Sequence, residues 1–318
     1  MKNEIEIKHK VGAKNKKKGL YFGKSMQLYL LLCIPITLVF IFSYLPMVGI
    51  IIAFKSYSYN LGIFKSEWVG IDNFKALLSY DNFSRVAWNT ISLNIVFIIL
   101  GMTCAVLLAI TLFEIINRTK VKVFQTILIT PNFLSWVIVG YMVYGLLNPE
   151  YGILNNILVS LGFKKIMWYS NANLWPGILS IANVWKNVGM DSVLYYAALM
   201  SIDSSMIEAA EIDGANKLHV IRYITIPQLF SLMTILLILK VGGIFRADFG
   251  LFYQITRNVG ELYKTTDVMD TYIFRLMKDN GNFSLSTAAS LLQSVIGLIM
   301  VLITNYIAKK VDPDRALF

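Results

Sequence analysis

The stretch Glu208-Ala209-Ala210-Glu211-Ile212-Asp213-Gly214-Ala215, followed by Ile224-Thr225-Ile226-Pro227, is a polar, alanine-rich island between long apolar runs. A chain dissolved mostly in hydrocarbon needs no such island for its own stability, so the segment reads as a surface offered to something in the cytoplasm. The flanking runs set the fold class. Of 318 residues, 56% are hydrophobic and only 15% charged, and the mean hydropathy is +0.61. A soluble domain of this length needs far more charge to cover its surface. Runs long enough to cross about 30 Å of hydrocarbon at about 1.5 Å per residue fall at 28–54, 90–113, 123–147, 175–200, 226–245 and 287–308. The expectation is an all-α, polytopic membrane protein with six transmembrane helices. A basic tail occupies 1–27, the membrane domain 28–308 contains the island within 201–227, and a short tail closes the chain at 309–318.

The formal charge of +10 invites a nucleic-acid reading, but eight lysines, Lys16, Lys17 and Lys18 among them, precede the first apolar run. That block sits where cytoplasmic flanking charge orients a first span, and no clear small-residue cleavage site follows it. Both termini and the island are therefore expected on the cytoplasmic side. Cys33 and Cys104 lie in apolar runs and the two histidines are His9 and His219, so neither a disulfide framework nor a metal set is suggested. Gly242-Gly243 lacks the spacing and the lysine of a phosphate-binding loop. If transport here consumes nucleotide, another chain binds it, and no nucleophile–base arrangement marks this chain as an enzyme.

Within the island, Asp203, Ser204 or Ser205 can cap a helix through Met206–Ile212. Ile207 and Ala210 are three apart, and Ala210 and Gly214 four apart, which gives a low-relief face that another backbone can approach. Gly214 permits a turn that a side chain would discourage. A second short helix is expected over 216–225, ending before Pro227 removes the next backbone donor.

Glu208, Ala209, Ala210, Asp213, Gly214, Ala215, Ile224 and Pro227 match, in order and spacing, the cytoplasmic coupling loop (EAA loop) of permease subunits in ATP-binding-cassette importers. Ile221 departs from the phenylalanine many relatives carry there, so the apolar anchor persists with a changed shape. The chain resembles the carbohydrate-importer permeases, in the polysaccharide or LplB-like branch. Further matches are Trp185-Lys186-Asn187-Val188-Gly189, the Thr266-Asp267-Val268-Met269-Asp270-Thr271-Tyr272 segment and Thr304-Asn305-Tyr306. The resemblance implies a type I importer permease fold in a prokaryotic cell membrane. It implies a heterodimer with a second permease subunit, two cytoplasmic ATPase subunits that hold ATP and Mg, and an extracytoplasmic solute-binding protein. The substrate it implies is a carbohydrate, an oligosaccharide, moved by alternating access. The same machinery moving a peptide or glycerol-phosphate derivative, and a membrane scaffold or sensory component, stay open as alternatives.

Ionisable side chains inside spans are costly unless they face protein or water, which singles out Lys186, Asp191 and Lys240. Lys186 and Asp191 are five apart, so a one-face ion pair between them is doubtful. Asn183, Lys186 and Asn187 form a polar face by spacing. That face can meet sugar hydroxyls, pair with the partner permease, or mark the membrane boundary. Lys240 allows the same readings, or snorkelling from the end of its span. Gln293 and Asn305 suit a cavity or helix–helix contacts, and Tyr141, Met142 and Tyr144 suit either sugar stacking or ordinary packing.

Overall fold

The computed structural model describes residues 22–311. The basic residues at 1–21 and the tail at 312–318 lie outside the described residues. The chain divides at Ile50 into two units. In the first, α1 (Phe22–Val39) contains Pro35. It passes into a π-turn, Phe40–Tyr44, whose wide ring is closed by Leu45 N–H donating to the Phe40 carbonyl. A 3₁₀ stretch lies at Leu45–Phe54. The change of winding falls where Pro46 has no N–H to donate, so the apolar run stays helical across two prolines.

The second unit opens with a two-stranded antiparallel ribbon, β1 (Lys55–Ser56) against β2 (Glu67–Trp68), with Lys55 opposite Trp68. α2 (Asp81–Phe113) is 33 residues long and begins well before the apolar run expected at 90–113. α3 (Arg118–Ile129) and α4 (Trp136–Leu147) occupy the run expected to be a single span at 123–147. That expectation is corrected: the two pieces, Arg118–Phe133 and Trp136–Leu147, are bent by 94°. Pro131 sits in the intervening 3₁₀ turn Thr130–Phe133, and Ser135 is extended, its hydroxyl accepting from Ile138 N–H. A proline followed by a fresh N-cap ends one helix and starts another.

α5 (Trp175–Leu199) is one continuous 25-residue helix and packs along α2. Ala105 and Ala109 of α2 are fully buried, and with Val188, Tyr195 and Leu199 they form a core that Leu229 completes. α6 (Ser204–Ile212) and the short α7 (Lys217–Val220) form the island. Here too an expectation is corrected. The second helix does not stop before Pro227, because a π-turn at Ile221–Thr225 carries it directly into α8 (Ile226–Gly242). Wider winding again accommodates the missing donor, and Lys217–Gly242 is long and apolar enough to cross a membrane. After an irregular segment come the amphipathic α9 (Met269–Lys278) and the long α10 (Phe283–Val311).

Among the described residues, four helices are long and apolar enough to cross a membrane, or five if the bent pair counts as one. α5, the fourth expected span, is long enough but polar. It buries ten residues, Trp175, Leu179 and Lys186 among them, and polar side chains that face protein do not need an apolar run around them.

Candidate translocation site

α5 carries two functional stripes. Asn183, Asn187 and Asp191, four apart and so one above the other, line a cavity of about 320 Å³ with Asn94 of α2, Asn132 of the 3₁₀ turn and Lys240 of α8. The Lys240 ammonium donates to Asp191 at 2.9 Å. Asn132 donates its amide to Asn187 at 3.2 Å, and Asn94 holds the chain leaving α8 by donating to the carbonyls of Ile244 and Arg246. The Asn183 amide is half-buried with no protein partner among the described residues. The lining therefore offers amides and an electrically balanced pair, which suits a hydroxyl-rich solute and its water.

Lys186 points elsewhere. Buried beside Trp136, it donates to the carbonyls of Asn132 and Leu134, each at 2.7 Å, and of Pro131 at 3.4 Å. It satisfies the carbonyls that the broken helix leaves open, so the polar face expected at Asn183, Lys186 and Asn187 splits between cavity and bend. Gly189, one turn on, faces α3: a Cβ there would lie 1.9 Å from the Leu128 carbonyl oxygen. Lys240 is held in the ion pair instead of snorkelling. Gln293 is buried as a strut, donating to the Phe245 carbonyl at 2.7 Å and to Asp270 at 3.1 Å, away from this cavity. Asn305 is buried. Tyr141 and Tyr144 lie under the Arg257 guanidinium at a separate pocket. Asn94 and Asn132 were not singled out from the sequence. A lone amide inside the apolar run of α2 was the available signal for the first.

The island is built as an exposed, rigid helix. Asp203 caps α6 by accepting from Ser205 N–H at 3.0 Å, and those hydrogen bonds hold its carboxyl below the ordinary carboxylate range. At the other end Gly214 adopts φ +86°. Ala215 N–H bonds the Ala210 carbonyl and Gly214 N–H the Glu211 carbonyl, the paired bonds of a Schellman cap. Glu208, Ala209 and Asp213 are exposed, and Ile212 is 86% exposed. Ala210, Ala215, Ile221 and Ile224 turn partly inward, Ile221 onto the α2–α5 core, while Pro227 is exposed. Asn216 caps α7 at His219 N–H, and Lys217 pairs with Glu114 at 3.2 Å, tying the turn to the end of α2. Among the described residues no group of three His, Cys, Asp or Glu side chains could hold a metal.

A bundle of long apolar helices that encloses a cavity lined by amides and an ion pair is built to pass a polar solute across a bilayer; the class is a membrane permease. A family model described as the binding-protein-dependent transport system inner membrane component matches residues 98–313, and the chain belongs to that family. It is a permease chain of an ATP-binding-cassette importer, located in the inner membrane as a multi-pass protein. It is 35% identical to Protein LplB of Bacillus subtilis over 287 residues, 90% of each chain. It is 33% identical to the polygalacturonan/rhamnogalacturonan transport system permease protein YteP of the same organism, over 93% of this chain and 92% of that one. The crystal structure of a bacterial ABC transporter involved in the import of the acidic polysaccharide alginate contains a chain that superposes with TM-score 0.83 at 31% identity, covering 92% of this chain and 98% of that one.

Proposed function

We propose that this permease forms half of the translocation pathway for an oligosaccharide, working by alternating access with a second permease subunit, and that the cavity between α2, α5 and α8 lines that path. The observation that carries the reading is the lining: amides and a balanced Asp191–Lys240 pair inside an otherwise apolar bundle. Sugars present many hydroxyls, so they need donors and acceptors together, and a buried charge pair is tolerable where water and solute reach it. Relatives named for polygalacturonan and alginate transport support a glycan as cargo.

On this reading α6, from Glu208 to the Gly214 turn, docks in one of two cytoplasmic ATPase subunits, which hold the ATP and Mg. An extracytoplasmic binding protein hands over the solute, and both termini lie inside. Ala209 and Ala210 let the ATPase backbone come close, and Ile221, Ile224 and Pro227 tie the docked helix to α8. Replacing Gly214 by valine places a β-branched side chain at φ +86°, which only glycine occupies cheaply. Gly214→Val is expected to insert in the membrane yet lose the ATPase on purification. Normal ATPase retention with normal uptake would remove the coupling role. Uptake of labelled oligosaccharides, peptides and glycerol phosphate by the complete reconstituted transporter tests the cargo, and uptake confined to a peptide or to glycerol phosphate overturns the carbohydrate reading.

A further inference from the structure

A second polar pocket lies away from the α2–α5–α8 cavity. It has a volume of about 210 Å³ and is lined by Tyr141 and Gly140 of α4 and by Tyr253, Gln254, Arg257 and Asn258 of the segment after α8. α8 starts at the island and runs away from it, so the segment that follows belongs to the opposite end of the bundle. With the island in the cytoplasm, this pocket faces the side from which solute arrives.

Its geometry is specified rather than incidental. Arg257 and Asn258 are consecutive non-glycine residues in the left-handed region, φ 54° and 52°. L-residues adopt that conformation only where the surroundings hold it. Here Tyr263 donates its hydroxyl to the Asn258 carbonyl at 3.2 Å and to the Asn258 side-chain oxygen at 2.9 Å, and Asn258 N–H bonds Thr256. Gly140 lets α4 touch the turn, since a Cβ there would lie 2.8 Å from the Gln254 carbonyl oxygen. The strained pair aims the Arg257 guanidinium over Tyr144, 4.0 Å from the ring centre, and toward Tyr141 at 6.0 Å. Behind it Tyr169, edge-on to Tyr144, has its hydroxyl pushed up to about 12, chiefly by burial and against the pull of Arg257, so it stays a neutral wall.

Arg257 differs from its neighbour Arg275, which is spent on an ion pair with Asp267. Among the described residues no carboxylate lies within ion-pair distance of Arg257. An exposed guanidinium steadied on aromatic faces, without a protein counter-ion among the described residues, beside the amides of Gln254 and Asn258, has the chemistry to receive a carboxylate. Its planar fork matches two carboxylate oxygens, and tyrosine faces suit the apolar face of a sugar ring. We propose that this pocket receives a uronate unit of an acidic oligosaccharide, with Arg257 pairing the sugar carboxylate on the way to the main cavity. The proposal rests on the carbohydrate reading above and narrows it to acidic glycans.

The test uses the complete transporter, with its second permease, ATPases and binding protein, in proteoliposomes. The probes are labelled tetragalacturonate, its fully methyl-esterified and therefore uncharged counterpart, and a panel of neutral tetrasaccharides. Native, Arg257→Gln and Arg257→Lys complexes are compared by the ratio of kcat/KM for acid over ester, with recovery of the assembled complex as the check on folding. Arg257→Gln is expected to lower that ratio at least about tenfold, the loss of the fork's two charge-assisted hydrogen bonds, and Arg257→Lys to restore part of it. An unchanged ratio overturns the proposal, including the case in which acid and ester uptake fall together because Arg257 docks an acidic patch of the binding protein. Uptake of neutral tetrasaccharides without the uronate overturns the proposal while the carbohydrate reading stands. Uptake of no oligosaccharide at all overturns both.

Discussion

Gly189 is the point where the packing of this bundle can be broken with one methyl group. The Cβ of Gly189→Ala would lie 1.9 Å from the Leu128 carbonyl oxygen, 2.3 Å from its carbon and 2.9 Å from Ile129 N, all backbone atoms. Ordinary contact begins near 3.4 Å, so α5 and α3 must part by about 1.5 Å, since neither side can turn a rotamer away. Overpacking of this kind costs about 1–3 kcal/mol. Parting the helices also stretches the 2.7 Å bonds from Lys186 to Asn132 and Leu134 one turn away, and charged hydrogen bonds are worth about 1.5–3 kcal/mol each. A loss of about 3 kcal/mol follows, a fall of about 4–5 °C in the melting temperature of a chain this size. The assay is thermal unfolding of the purified transporter in detergent. Gly177→Ala serves as the control: it lies on the same helix, nothing is within 4 Å of its added Cβ, and helix propensity favours alanine. If Gly189→Ala melts at or above the native temperature, or if the two variants move together, the close approach of α5 to α3 does not exist as described.

Lys186→Met removes the buried donor from the three carbonyls at the bend. It should cost about 3 kcal/mol, read as a lower melting temperature and faster proteolysis between α3 and α4, and a variant within a degree of native would show that water serves those carbonyls as well. Asp270 accepts from Ala247 N–H at 2.7 Å and from Gln293, yet burial, the largest influence, raises its carboxyl above the ordinary 3.8. Because the folded value is the higher one, the stability it contributes is full below 3.8 and is lost as pH rises through the raised folded value. The melting temperature of native relative to Asp270→Asn should therefore fall as pH rises from 3.8 through the raised folded value, and a flat or rising difference would contradict the burial.

What could be read from the sequence was whatever repeats or is local. Apolar runs located the helices, and the island's cap and turn were legible because Asp203 and Gly214 act on neighbours within a few residues. The bend between α3 and α4 was not read, since averaged hydropathy is blind to direction. Its local signs, Pro131 and then Ser135, were in the chain all the same. Pro227 was overread as a stop, because the i→i+4 rule it breaks is relaxed by a π-turn. For the polar side chains of α5, spacing argued against a Lys186–Asp191 pair but could not supply their partners, which are 49 residues away for Asp191 and 52 to 55 away for Lys186. Arg257 had no periodic context at all, and only the backbone geometry distinguishes it from other loop arginines.

The arrangement of α5 ties the cavity to the bend and to the island. Lys186 and Gly189, three apart, clamp the bent pair. Asn183, Asn187 and Asp191, four apart, face the cavity. The clamp makes α5 and the bend a single body, because a buried ammonium bound to three carbonyls and a backbone-on-backbone contact leave little freedom to slide. α5 ends at Leu199 and α6 begins at Ser204, fixed by the Asp203 cap, so few residues separate the cavity helix from the exposed α6. From the other side, Lys217 and Glu114 bind the turn to the end of α2, and the π-turn runs it without interruption into α8, which carries Lys240. A displacement of α6 is thus delivered to α5 and α8 together, the two helices whose Asp191–Lys240 pair bridges the cavity. On the proposed reading, that ion pair is where the ATP cycle and the solute meet: holding it at 2.9 Å favours this arrangement of the cavity, and moving its two helices apart opens the path.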